Sequence, residues 1–178
     1  MRRLAIFCLP LIALVAPAAA LAIGDMKTTD GTLVVQNASA PRSVAVVTLV
    51  IVGGTALGHV STGSPDQFDK VVIQDFNNPP GDIGASITNN APGLTRTSLS
   101  DNKTSFVGSD FRFRAANGTY KIWIYGAGVN VFAVGRGTVV LQGQSDPGVP
   151  DGRYSRDGGD WHPLPAVPSD LLHFGSSG

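Results

Sequence analysis

Hydrophobic residues recur at every second position over much of this chain, and that period predicts strands. Gly31 to Gln36 is a short β-rich run ended by Asn37. Val44 to Val52 is almost wholly apolar and β-branched, and Gly53-Gly54 stops it. It is too short to cross a membrane as a helix and too β-branched to favour a helix in water. A strand buried on both faces fits it better. Thr55 to Ser61 predicts a weaker strand, and Phe68 to Phe76 another, centred on Val71, Val72 and Ile73. Asn77 to Asp101 is rich in Asn, Pro, Gly, Ser and Thr and predicts a long loop.

The strongest local signal is Asn117-Gly118 between two alternating runs. Asn-Gly favours a two-residue hairpin turn because both central positions need positive φ. Closing that turn would set Ala115 against Tyr120, Phe113 against Ile122 and Phe111 against Ile124 on one apolar face. Asp110 would then oppose Tyr125, Arg112 would oppose Trp123, and Arg114 would oppose Lys121 on the other. Val129 to Val134 and Thr138 to Gln142 continue the meander across Gly135-Arg136-Gly137. Asp157-Gly158 offers a second two-residue turn, placing Tyr154 opposite Trp161, and Pro163, Pro165 and Pro168 stop pairing beyond it.

These elements predict an all-β chain, an antiparallel β-sandwich or partly closed barrel. A short β-solenoid is the alternative, although no fixed repeat period is present. The expected organisation is a signal peptide over 1–22, a β domain over 23–145, and a Pro/Gly-rich C-terminal hairpin and tail over 146–178. The leader rests on Met1-Arg2-Arg3, the apolar run Leu4 to Val15, and Ala20-Leu21-Ala22, which matches a small-x-small cleavage pattern before Ile23. The chain is therefore expected to be secreted or associated with the cell envelope, with no transmembrane segment once the leader is removed. An uncleaved anchor is the rival reading, since Leu4 to Gly24 is uncharged and just long enough to span.

Composition narrows the function. All 13 acidic residues are Asp, a residue of turns and caps more than of helix surfaces. Removing Arg2 and Arg3 with the leader leaves 11 basic against 13 acidic residues, a net charge of −2. Nucleic-acid binding by phosphate neutralisation is disfavoured on that balance. The single Cys8 lies in the leader, so the mature chain has neither disulfides nor thiolate metal ligands.

Gly31 to Val35, Phe111-Arg112-Phe113-Arg114, Gly118-Thr119-Tyr120-Lys121 through Gly126-Ala127-Gly128, Ala133 to Val139, and Tyr154 to Pro165 resemble small secreted bacterial β proteins of no assigned activity. The likeness is carried by glycines and alternation over most of Gly31 to Pro165. It implies export and an all-β fold, and it transfers no catalytic residue.

No catalytic, metal or cofactor site is expected. His59-Val60-Ser61-Thr62-Gly63 lacks the first Gly of a nucleophile elbow. His59, His162 and His173 match no zinc spacing. Asp146, Asp151, Asp157 and Asp160 lie in Gly-rich loops without the spacing of a calcium loop, and turn formation explains them better. The surface expected to act is the outward hairpin face, where Arg112, Arg114 and Lys121 would sit with Trp123 and Tyr125. Cations beside aromatic rings suit a glycan or an anionic envelope component. The alternative is a small secreted hydrolase using Asp residues of the long loop, such as Asp82 or Asp101.

Overall fold

The computed structural model describes residues 29–36, 45–60, 69–77, 84–89, 93–126, 128–143 and 152–175. The expected leader and its cleavage site, Ser61, Asp82, Asp146 and Asp151 lie outside them. The described residues form strands β1 (Gly31–Gln36), β2 (Ala45–Val60), β3 (Asp69–Asp75), β4 (Ala85–Asn89), β5 (Thr95–Ser100) and β6 (Lys103–Gly108). These are followed by β7 (Phe111–Gly126), β8 (Val129–Gln142), β9 (Arg153–Arg156), β10 (His162–Pro163) and β11 (Leu172–Phe174). All pairings are antiparallel and belong to one sheet ordered β10-β9-β1-β8-β2-β7-β3-β6-β5, with β4 added to β7 and β11 to β8. The sheet is sandwich-like and does not close into a barrel. Antiparallel pairing throughout also sets it apart from a solenoid of parallel coils.

Asn117-Gly118 is not a hairpin turn. It is a β-bulge inside one 16-residue strand. Asn117 has the positive φ that the sequence predicts, at 53–56° like the turn residues Asp110 and Asp157. The chain then carries straight on. The bulge shifts the inward parity of β7 from Phe111, Phe113 and Ala115 to Tyr120, Ile122 and Ile124, all of them buried. An extra residue in one strand does this because side chains alternate with period two.

Its neighbour β2 bulges at the same level. Gly53, at φ 62°, separates buried Ala45, Val47, Leu49 and Ile51 from buried Ala56 and Val60. Gly54 lies directly opposite Gly118. The Gly53-Gly54 pair therefore bends a strand that the sequence reads as two. Likewise, Gly135-Arg136-Gly137 lies within the continuous strand β8.

The paired bulges divide the three long strands between two layers. In the first layer, β7 from Tyr120 onward pairs with β3, which pairs in turn with β6 and β6 with β5. β11 joins the other side of this layer through Thr138 of β8. In the second layer, the earlier half of β7 pairs with β4, and the earlier half of β8 pairs with β1, which carries β9 and β10. The ends of the bent strands meet, since a side chain on Gly126 would run into Val60. Both layers feed one core that includes Leu33, Leu49, Ile73, Phe111, Ile122 and Leu141.

The stretch read as a long loop contains β4 and β5. Every residue of β5 is exposed, so it lacks the apolar alternation that marks a strand in sequence. The C-terminal segment read as a hairpin and tail packs on the same core, with Leu164 and Phe174 3% and 1% exposed. Asp157-Gly158 does form the predicted turn, with both residues at positive φ and Gly159 N donating to Arg156 O at 2.8 Å. Its partner is one residue off, because Tyr154 pairs with His162 instead of Trp161. Ser155 Oγ binds Gly159 O at 2.7 Å, and the return strand takes up one extra residue before pairing begins.

Candidate functional site

Among the described residues nothing covers the outer face of the second layer, and strand register sorts its side chains into two rows. In one row Val34 of β1 opposes Phe132 of β8, Phe132 opposes Leu57 of β2, and Leu57 opposes Arg114 of β7. Two residues along each strand, Gln36 opposes Asn130, Asn130 opposes His59, and His59 opposes Arg112. Directly opposed residues share a face. The rows form a groove of about 630 Å³. Half-buried Val34, Phe132 and Leu57 give it an apolar floor, and exposed Arg112 and Arg114 stand along one side.

Arg112 and Arg114 dominate the charge along the described lining, and a carboxylate in contact with that lining is Asp110, which His59 engages. Among the described residues none that lines the groove is acidic, and neither Arg112 nor Arg114 enters an ion pair. Two guanidiniums on adjacent outward positions of one strand repel each other weakly, and an anion between them relieves that repulsion. Arginine also offers planar, bidentate donation to carboxylate and phosphate groups.

His59 is oriented from outside the groove. Its Nε2 lies 2.5 Å from Asp110 Oδ1, in the short connection from β6 to β7. The side chains are 34% and 50% exposed, so as an ion pair this contact adds little stability. A His–Asp pair also suggests the orienting half of a nucleophilic triad. Among the described residues the hydroxyl in the groove belongs to Ser86 on β4, which pairs with Arg114 of β7. Two strand spacings, about 9–10 Å, separate β4 from β2. A nucleophile must lie within hydrogen-bond reach of its base, so Ser86 cannot serve.

The structure brings together only part of the surface predicted from sequence. Arg112 and Arg114 line the groove. Lys121, Trp123 and Tyr125 point outward from the first layer, beyond the bulge. There Trp123 opposes Thr48 and Val72, Lys121 opposes Val50 and Gln74, and Tyr125 opposes Val46 and Lys70. The Trp123 ring is flanked by Lys103 Nζ at 4.4 Å and Lys121 Nζ at 4.9 Å from its centroid. Arg112 and Trp123 are therefore distant positions on one bent strand, where a hairpin would have made them neighbours.

Sequence reasoning missed Asn130 and Gln36, and weighed His59 only for catalysis or zinc. Their signal is weak: each is a polar outward position in an otherwise apolar alternation. Only the register of β1, β8 and β2 reveals that they form a row. Of the Asp residues considered for hydrolysis, Asp101 is exposed in the turn between β5 and β6. Asp157 has a structural task, since its Oδ1 accepts hydrogen bonds from Thr32 N at 3.1 Å and Gly175 N at 3.0 Å. Among the described residues no cluster of three or more His, Cys, Asp or Glu side chains is placed to hold a metal ion.

Comparison with protein-family models, curated proteins and solved structures gives no match to this chain.

Proposed function

We propose that this is an exported, non-catalytic binding protein whose groove takes an anionic glycan or another acidic component of the cell envelope. The observation that carries the reading is the pairing of Arg112 and Arg114 beside an apolar floor, with no acidic lining residue among the described residues. A carboxylate or phosphate would bridge the two guanidiniums, and Val34, Phe132 and Leu57 would take the apolar face of a sugar ring. Asn130 and Gln36 would meet hydroxyls, since an amide side chain both donates and accepts. The leader over 1–22 supports export, which puts envelope polymers within reach.

Isothermal titration of the purified protein with sodium oligogalacturonate and with its fully methyl-esterified counterpart tests the proposal. Binding is expected for the charged form only, and it should weaken with salt because surface charges are screened within about 8–10 Å at physiological ionic strength. The double variant Arg112→Ala/Arg114→Ala should abolish it while keeping the parent melting temperature. Equal binding of the esterified polymer, or unchanged binding by the double variant, would overturn the assignment.

A further inference from the structure

The polar row does not end at β1. Gln36 also pairs with Arg153 of β9, whose Nε donates to Gln36 Oε1 at 3.1 Å. The Arg153 guanidinium lies 4.5 Å from the centroid of the Trp161 ring, and Trp161 is 45% exposed. The row thus runs Arg112, His59, Asn130, Gln36, Arg153 across β7, β2, β8, β1 and β9, with a cation at each end and an imidazole and two amides between.

Resting on the anionic-ligand reading above, we infer that the occupant is a linear acidic oligosaccharide lying across the strands, with one acid group at Arg112 and Arg114 and a second at Arg153 beside Trp161. Four strand spacings separate the two cationic ends, about 19 Å, a span that suits roughly four sugar residues. Among the described residues the groove is open along its length, so a polymer can enter from the side and continue past either end. Trp161 supplies what the Arg112 end lacks, a broad aromatic face on which a sugar ring stacks. The arginine stacked against Trp161 is held by Gln36, so less side-chain freedom is lost when it meets an anion. A lone anion or an acyl chain with one acidic head would use only one end. The two separated cationic ends therefore favour a ligand whose acid groups repeat.

Defined oligogalacturonates from dimer to hexamer, titrated into the intact protein, read this out. Affinity is expected to rise up to about the tetramer and then level off, as the ligand reaches both ends. Arg153→Ala and Trp161→Ala should each weaken the tetramer about tenfold, the loss of one charge-assisted contact, and leave the dimer unchanged. Both side chains are exposed, so matching thermal melts would show that the fold is kept. Arg112→Ala should weaken dimer and tetramer alike. Equal affinity for all lengths, or Arg153→Ala and Trp161→Ala variants that bind the tetramer like the parent, would overturn the second subsite and leave the Arg112/Arg114 site standing. Dodecyl phosphate binding in place of every oligogalacturonate would also overturn it, while keeping the anion site. Failure of every charged probe to bind would overturn both.

Discussion

The side-chain amide of Asn77 satisfies both backbone polar groups of Thr119: Thr119 N donates to Oδ1 at 2.9 Å, and Nδ2 donates to Thr119 O at 3.0 Å. Asn77 follows β3, and Thr119 lies just past the bulge in β7, so the amide extends the ladder between them. Nδ2 also donates to Asp75 Oδ1 at 2.8 Å, which ties the fully buried Asp75 carboxylate to the same point. Asn77→Ala removes these bonds from a partly exposed site and should cost about 1–2 kcal/mol. Asn77→Asp should cost more, because a carboxylate would face the Thr119 carbonyl and Asp75. Urea denaturation checks both, and a parent-like midpoint in Asn77→Ala would show that the contact contributes nothing.

The bulge residue itself tests whether the bend is specified locally. Asn117 holds a φ of 56°, and its backbone N–H donates to Thr55 Oγ1 at 3.3 Å, across the two bulges. Glycine adopts that φ without penalty, whereas a β-branched residue does not. Asn117→Gly should therefore stay within about 0.5 kcal/mol of the parent, and Asn117→Val should lose about 1–3 kcal/mol. Thermal melts separate the two. Equal melting of the valine and glycine variants would contradict the positive-φ requirement.

The failure of the hairpin reading has a physical cause. A two-residue turn at Asn117-Gly118 and a one-residue bulge at Asn117 place the same side chains on the same face. Either way, Phe111, Phe113 and Ala115 join Tyr120, Ile122 and Ile124. The inward set is therefore legible in the local pattern, but the choice between reversing and continuing is not. That choice is made by partners far along the chain. The bulge in β2 at Gly53 lets β2, itself paired along its length with β8, give a continuous β7 a full ladder on one side. The same non-locality hides the groove, since the polar positions Gln36, His59 and Asn130 acquire meaning only in register. The exposed strand β5 was illegible for another reason: with no buried face, Thr95 to Ser100 carry no hydrophobic period.

Tyr120 gives the fold an alkaline sensitivity. Burial, and then the charge of Asp75, hold its phenol above the ordinary value of 10.0. Its Oη donates to Ala116 O at 3.0 Å, bridging the bulge from below. A group whose pKa is higher in the folded than in the unfolded state stabilises the fold below its unfolded value, and that contribution is lost as pH rises through the folded value. Tyr120→Phe should be less stable than the parent by about 1 kcal/mol at neutral pH, from the lost hydrogen bond. The gap should narrow as pH passes about 10. Denaturation midpoints of the pair against pH provide the check, and a constant gap would remove Tyr120 from the alkaline response.

Trp123 should separate stability from binding. Its ring covers the outer face of the first layer, where Val72 is only 6% exposed despite pointing away from the main core. Lys103 and Lys121 flank the ring, so two ammonium groups have favourable contact with one indole. Trp123→Ala would uncover Val72 and leave both lysines without that contact, at a cost of about 2–3 kcal/mol. Trp123→Phe keeps an aromatic face and should recover most of the loss. Neither change touches the groove, which lies beyond the bulge on the other layer. Oligogalacturonate binding below the melting temperature should therefore match the parent in both variants, while Arg112→Ala shows the converse, a parent-like melt with weakened binding. Loss of binding in Trp123→Phe would return the ligand to the first layer, and with it the grouping of Trp123 and Lys121 into the functional surface.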